Sequence, residues 1–262
     1  MTSTPAPERP QPTDAHRDEL RAHGHVVLRG VFSALEIARY RPAIRAYVLA
    51  MRAEMTADER QVGASAVDTV FSLGDAPAPV ARFVTLPRLG ELAARLLDVP
   101  AVRILHFCGF FKPGHGRPTS WHQDSCFIPL ATDKVVSVWI PLTDVTQQMG
   151  GLVFASGSHL HGMLDPRTEV RRFPLARNGA MAAGDVSIHL GWTLHASQPN
   201  ATDTMREAVA VSYYPDGTTI TADRHLPFAR QLMNRCFAGL LPGDLAAGAA
   251  NPVVFPAPEE PR

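Results

Sequence analysis

Arg206-Glu207-Ala208-Val209-Ala210-Val211-Ser212-Tyr213-Tyr214 is the most regular stretch of this chain, and it reads as one β-strand. Side chains alternate across a pleated strand, so Arg206, Ala208, Ala210 and Ser212 share one face and Val209, Val211 and Tyr213 the other. A face of small residues headed by an arginine suits the inside of a narrow barrel. A guanidinium pointing inward needs an anion, because an unpaired buried charge is very costly. Its planar fork fits a carboxylate in bidentate contact, and a dicarboxylate ligand would supply one.

Upstream of this strand, short β-rich runs at 102–111, 120–124, 134–140, 151–155 and 185–190 are separated by Gly, Pro, Asp and Asn clusters. Many short strands without helical crossovers argue for a sandwich or barrel, and a double-sheet jelly roll leaves a mouth for a metal. The expected fold is mainly β with flanking helices around a double-stranded β-helix (jelly-roll, cupin-like) core at about 100–215. The N-terminal third reads as mainly helical: Asp14 to Ala22, then, past a strand at Val26-Val27-Leu28, a helix capped by Ser33 and carried by Leu35, Ile37, Ala38, Ile44, Tyr47, Val48 and Met51. Pro87 to Leu97 and Ala222 to Leu240 read as further helices, and 61–80 has no clear period and is a lid candidate. Proline-rich ends at 1–13 and 251–262 read as loose tails around a single catalytic domain, 14–250.

His122, Asp124 and His195 carry the chemistry. In Trp121-His122-Gln123-Asp124, side chains two apart on an extended strand point the same way, so His122 and Asp124 face one site while Trp121 and Gln123 face away. A second strand must bring His195 of Leu194-His195-Ala196-Ser197 opposite. Two imidazoles and one carboxylate form a facial triad that holds Fe(II) and leaves positions open for a co-substrate and dioxygen. Ser197, two residues beyond His195, points the same way and is placed to hydrogen-bond the carboxylate that Arg206 attracts. His159 and His161, ending a Gly-Ser turn, read as structural hydrogen-bonders, and His115 as a residue of an exposed loop. His106 and Cys108 precede the His-x-Asp pair and could face either the pocket or the core.

Trp121-His122-Gln123-Asp124, the strand Val135 to Leu142, Gly150-Gly151-Leu152, Ser156-Gly157-Ser158-His159, Gly184-Asp185, His195-Ala196-Ser197, Asn200 and Arg206 occur in an order that resembles the phytanoyl-CoA dioxygenase-like (PhyH) branch of the non-haem Fe(II)/2-oxoglutarate-dependent oxygenases. The resemblance covers roughly residues 100–215. It implies His122, Asp124 and His195 as iron ligands, Arg206 as the residue holding the distal carboxylate of 2-oxoglutarate, Ser197 and Trp139 lining that co-substrate, and a turn at Gly184-Asp185. The implied reaction consumes dioxygen, converts 2-oxoglutarate to succinate and carbon dioxide, and oxidises a substrate C–H bond. Halogenating relatives replace the carboxylate ligand with a small residue, so Asp124 disfavours halogenation. The sequence departs from the pattern at Gln147-Gln148-Met149-Gly150 and at Ala155, which touches turn chemistry and leaves the substrate, not the reaction class, open.

Composition bounds the remaining choices. The 262 residues carry 25 Lys plus Arg against 25 Asp plus Glu, with no basic stripe, so nucleic acid is not expected as a partner. Three scattered cysteines, Cys108, Cys126 and Cys236, give neither a disulfide framework nor a zinc motif and fit a reducing cytoplasm. No signal-peptide core or membrane-length apolar run is visible. The alanine-, arginine- and proline-rich composition is that of a GC-rich genome such as an actinobacterial one. With the resemblance, it implies a tailoring enzyme of secondary metabolism, in antibiotic biosynthesis, working as a monomer or homodimer. The segments around Val67 to Leu73, Ser125 to Asp133, Leu160 to Phe173 and Pro215 to His225 are mostly apolar. They favour a mid-sized small-molecule substrate, such as a glycosylated polyketide, for hydroxylation, epimerisation or carbocyclisation. An acyl-CoA or fatty-acid hydroxylase of the same family, a zinc or manganese enzyme on the same barrel, and a non-catalytic cupin-like binder are the alternatives.

Overall fold

The computed structural model describes residues 10–54, 69–71, 74, 76–221 and 227–257. Most of the lid candidate at 61–80, and residues 1–9 of the N-terminal tail, lie outside these. The chain begins with α1 (Asp14–His23), whose Thr13 side chain accepts from the His16 backbone N–H, and β1 (His25–Leu28). Ser33 then caps α2 (Ala34–Glu54) reciprocally with Glu36, as the spacing predicts. After β2 (Thr69–Phe71), α3 (Ala78–Val84) and α4 (Pro87–Leu97), the β block comprises β3 (Val102–Gly109), β4 (Thr119–His122), β5 (Val136–Pro141) and β6 (Leu152–Ala155). It continues through the short α5 (Pro166–Glu169), β7 (Leu175–Arg177), β8 (Val186–Leu190), β9 (His195–Ser197) and β10 (Ala208–Pro215). α6 (Pro227–Cys236) and β11 (Val253–Phe255) close the chain.

The strands form two antiparallel sheets. The main sheet runs β1-β8-β5-β10-β3-β11, with β2 also on β3, and the minor sheet runs β4-β9-β6-β7. Alternation along the main strands sorts their side chains. Val136, Val138 and Ile140 of β5, Val186 and Ile188 of β8, and Val209, Val211 and Tyr213 of β10 join one buried cluster with Ile37, Ile44 and Val48 of α2 and Leu89, Leu92 and Ala93 of α4. Burying each of these larger aliphatic side chains contributes about 1.5–3 kcal/mol before entropy is counted. The opposite face of the same strands carries Ser137 and Trp139, His189, and Ala210 and Ser212, which line an internal cavity. β-Branched residues therefore face the helices, and small or polar residues face the interior.

Two boundaries differ from the sequence reading. Residues 251–257 are not a loose tail: β11 pairs with β3, Val254 is buried, and the Asn251 amide donates to the Ile104 and Leu105 carbonyls. A proline-rich composition hid a segment that pairs with β3 at Val102 and Arg103, beyond the stretch that β2 covers. The strand expected at 120–124 ends at His122, and Asp124 opens a one-turn 3₁₀ helix to Cys126. Gln123 remains extended (φ −121°, ψ 125°), so His122 and Asp124 still project to the same side.

Candidate active site

The pairing of β4 with β9 builds the centre of the site. Thr119 lies opposite Ser197 and His122 opposite His195, with a bulge between the two pairs. This sets the two imidazoles side by side, ring centroids 4.1 Å apart. Asp124 Oδ1 lies 3.6 Å from His122 Nε2 and 3.7 Å from His195 Nε2. Among the described residues, this is the one cluster of His, Cys, Asp or Glu that could hold a metal ion, its ligand atoms all lying within 4.8 Å of one another.

Each imidazole is oriented through its other nitrogen. His122 Nδ1–H donates to Ser120 O at 2.8 Å and His195 Nδ1–H to Thr193 O at 3.0 Å, which turns both Nε2 lone pairs inward. Burial, then His122 and His189, hold the His195 imidazole well below its usual range, so it is the neutral ligand form at physiological pH. Burial pushes the Asp124 carboxyl up, but His195, His189 and His122 together hold it well below the ordinary carboxylate value. The centre is thus a carboxylate flanked by two pre-oriented imidazoles. Such a donor set suits a divalent transition metal such as iron.

The same cavity is lined by a cation, Arg206. Arg206 is 1% exposed; its guanidinium donates to Gly150 O and lies 5.5 Å from the centre of the Trp139 ring. Gly150 adopts φ +78°, and a Cβ there would collide with Gln198 O, so only glycine brings this carbonyl to Arg206. Arg206 does not belong to β10 itself but to a bridge with Lys112. That bridge buries Lys112 completely, three residues before the exposed loop residue His115. Lys112 Nζ donates to Ser197 Oγ at 2.7 Å and Gln198 O at 2.5 Å, and burial followed by the neighbouring Arg206 lowers its pKa to about 7. Asn200 ties the two chain segments together: its amide donates to the Lys112, Pro113 and Thr204 carbonyls, and its oxygen accepts from Thr202.

The sequence reading gave Ser197 a direct contact to the anion. Its hydroxyl instead accepts from Lys112 and donates to Thr119 Oγ1 at 2.7 Å, so its one proton is already committed. Trp139 lines the cavity, and its Nε1–H, together with His106 Nδ1, is buried without a partner among the described residues. Orphaned polar atoms in a cavity lined by both a metal-type centre and a cation fit a polar ligand.

Sequence reasoning missed Lys112 and His189. His189 had a signal, since alternation with Val186 and Ile188 turns it inward beside Ser187. Its Nε2 lies 3.2 Å from Asp124 Oδ2. His159 stays out of the cavity and contacts Arg21 O, His115 pairs with exposed Asp203, and both His106 and Cys108 line the cavity. Gln123 is buried with its amide wholly engaged: it donates to Gly162 O and Trp192 O and accepts from Leu164 N–H. Glu207, on the other face from Arg206, pairs with Arg41 and Arg45 of α2.

Comparison with known proteins assigns the chain to a family. Residues 20–208 match the family model for phytanoyl-CoA dioxygenase (PhyH). An L-proline trans-4-hydroxylase of Streptomyces griseoviridis is 31% identical over 147 residues, 54% of this chain and 53% of that protein. A probable alpha-ketoglutarate-dependent hypophosphite dioxygenase of Stutzerimonas stutzeri is 29% identical over 119 residues, 39% of this chain and 42% of that protein. The chain therefore matches about half the length of these curated relatives. Among solved structures, SnoN, a non-heme alpha ketoglutarate dependent epimerase from nogalamycin biosynthesis, superposes with TM-score 0.74 at 23% identity, covering 92% of this chain and 97% of SnoN. SnoK, the carbocyclase of the same biosynthesis, gives TM-score 0.71 at 23% identity, covering 92% and 96%. At these identities the likeness is one of fold. The family match, by contrast, runs from α1 through both sheets to the first residue of β10 and takes in the triad, Lys112 and Arg206, and the chain belongs to the phytanoyl-CoA dioxygenase (PhyH) family of non-haem iron, 2-oxoglutarate-dependent oxygenases.

Proposed function

We propose that the protein is an Fe(II)- and 2-oxoglutarate-dependent oxygenase acting on a C–H bond of a mid-sized, partly apolar natural product, with His122, Asp124 and His195 as iron ligands and Arg206, Ser197 and Trp139 at the co-substrate. One observation carries this reading: the two Nε2 atoms and Asp124 Oδ1 converge in a cavity that the buried Arg206 also lines, with Lys112 buried behind Ser197. Iron and 2-oxoglutarate, when bound, supply oxidation by dioxygen with release of succinate and carbon dioxide.

The chain's own residues bind, orient and exclude. Ser120 O and Thr193 O hold the imidazole tautomers that present Nε2. Arg206 receives the distal carboxylate, flanked by the Lys112 amine that Ser197 steers. The Trp139 indole N–H gains its missing acceptor from the same ligand, and its ring, with Leu152 and Ala210, keeps water from that end. Intact Asp124 leaves the family's oxygenase ligand set in place and disfavours halide transfer.

For the substrate, support comes from the fold shared with an epimerase and a carbocyclase of nogalamycin biosynthesis and from the apolar residues near the triad. Leu160 and Met163 are exposed on the segment that Gln123 anchors, and among the described residues the cavity that holds the triad is lined by no lysine and by one arginine, Arg206. A glycosylated polyketide suits these walls, and hydroxylation, epimerisation and ring closure are the outcomes this chemistry offers. The test is substrate-stimulated succinate release from the Fe(II)-loaded protein across a panel of aromatic polyketide glycosides, acyl-CoA esters and free amino acids. Stimulation by polyketide glycosides, with a product changed at one carbon, is expected. Stimulation by acyl-CoA esters or amino acids alone overturns the substrate assignment, and the absence of 2-oxoglutarate turnover with any compound or alone overturns the reaction class.

A further inference from the structure

Asp124 differs from the two histidines in how the backbone holds it. His122 and His195 sit on paired strands of the minor sheet, whereas Asp124 stands one residue beyond the end of β4's extended backbone, at the start of a 3₁₀ turn. No ladder hydrogen bond of the minor sheet fixes its carboxylate. The main sheet fixes it instead, from across the interior. The Ser137 hydroxyl of β5 donates to Asp124 Oδ2 at 2.9 Å, and His189 Nε2 of β8 lies 3.2 Å from the same oxygen. Ser212 of β10 lies 2.9 Å from Ser137 Oγ, and because Ser137's one proton goes to the carboxylate, Ser212 is the donor. Three adjacent main-sheet strands thus converge on Oδ2, and Oδ1 is left facing His122 and His195.

His189 is an expensive way to fill this position if packing were its only role. It is buried between the His195 ring, 4.2 Å away, and Phe154, 5.6 Å away, and its Nδ1 has no partner among the described residues. A leucine would occupy similar volume with no unsatisfied nitrogen. The contact that repays the burial is the one to Asp124.

We propose that His189 and Ser137 are positioning residues that restrict Asp124 to one-oxygen ligation: Oδ2 is tied to the main sheet, only Oδ1 meets the metal, and a coordination position that a two-oxygen carboxylate would take stays open. The inference rests on the reading of the triad as a metal site. Co(II) titration of the metal-free protein, followed by visible ligand-field absorption, reads affinity and coordination number together. In His189→Leu, Co(II) affinity is expected to fall about 10- to 100-fold, the loss typical when an outer partner of a metal ligand is removed. Its ligand-field bands should shift as Oδ2 enters the coordination sphere, while metal-free thermal stability holds or rises. His189→Gln, whose amide N–H can reach the same oxygen, should recover most of the affinity and the wild-type bands, and Ser137→Ala should show a smaller shift of the same kind.

A lowered melting temperature in His189→Leu with unchanged Co(II) affinity and bands makes the role merely structural and overturns the proposal. Loss of binding in His189→Gln as complete as in Asp124→Ala makes His189 a ligand itself and also overturns it. A wild-type protein that takes up no Co(II) removes the metal reading, and the proposal with it, whereas tight wild-type binding lost in Asp124→Ala upholds the metal reading whatever His189 does.

Discussion

Lys112 should make 2-oxoglutarate binding pH-dependent. Buried beside Arg206, it titrates near 7 instead of 10.5 in the ligand-free protein, so above neutrality it is mainly an uncharged amine. A carboxylate delivered to Arg206, the neighbour of Lys112, favours the charged form of the lysine and raises its pKa, so binding takes up a proton. At pH 8 a group with pKa 7 is about 90% deprotonated, which sets the expected uptake at about 0.9 proton per ligand. If the ligated pKa exceeds 9, affinity should weaken about fifty-fold between pH 7 and pH 9. Calorimetry of the anaerobic Fe(II)-loaded protein, in two buffers of different ionisation enthalpy, measures both quantities, and Lys112→Met removes the uptake and flattens the profile. The folded state also binds fewer protons at Lys112 than the unfolded chain between about pH 7 and pH 10.5, so ligand-free stability should rise across that window and not do so in Lys112→Met. Equal heats in both buffers, with wild-type affinity constant from pH 7 to 9, would refute the argument.

Other parts of the site give separate expectations. Asn200→Ala removes the donor and acceptor that join the Lys112 and Arg206 segments, and should destabilise the protein by about 2–4 kcal/mol in denaturant titration. Gly150→Ala forces a side chain into a left-handed backbone against Gln198 O, so it should lower the melting temperature and weaken 2-oxoglutarate binding with Co(II) affinity retained. Gln123→Leu strips the Gly162, Trp192 and Leu164 contacts, and amide exchange at 162–164 should accelerate while the triad still binds Co(II). Unchanged exchange there would mean that the segment is held by other contacts.

The fold was legible where two faces of a strand had to differ. Val209, Val211 and Tyr213 face helices while Ala208, Ala210 and Ser212 face the interior, and that contrast is written in the residues themselves. The His122, Asp124 and His195 trio was legible because metal ligands are few in kind and the spacing of two matches the pleat. Lys112 was hidden because burial of a lysine beside proline and glycine depends on a bridge to Arg206, ninety-four residues away, which no local pattern reports. The committed state of the Ser197 hydroxyl was hidden for the same reason, since it depends on Lys112 and Thr119. His189 sat in plain alternation with Val186 and Ile188, but only the three-dimensional approach of β8 to the 3₁₀ turn gives its inward position a use. The buried end at 251–257 shows the limit of composition, since proline content excludes helix far better than it excludes an edge strand.

The central claim is that one cavity joins an iron centre made by His122, Asp124 and His195 to a carboxylate site made by Arg206. Anaerobic addition of Fe(II) and then 2-oxoglutarate, followed by visible absorption, tests it most directly. A weak charge-transfer band should appear in the intact protein, vanish in Asp124→Ala with loss of iron, and in Arg206→Leu require far more 2-oxoglutarate while iron stays bound. No band in an intact protein that holds iron, or a band indifferent to both substitutions, would contradict the account.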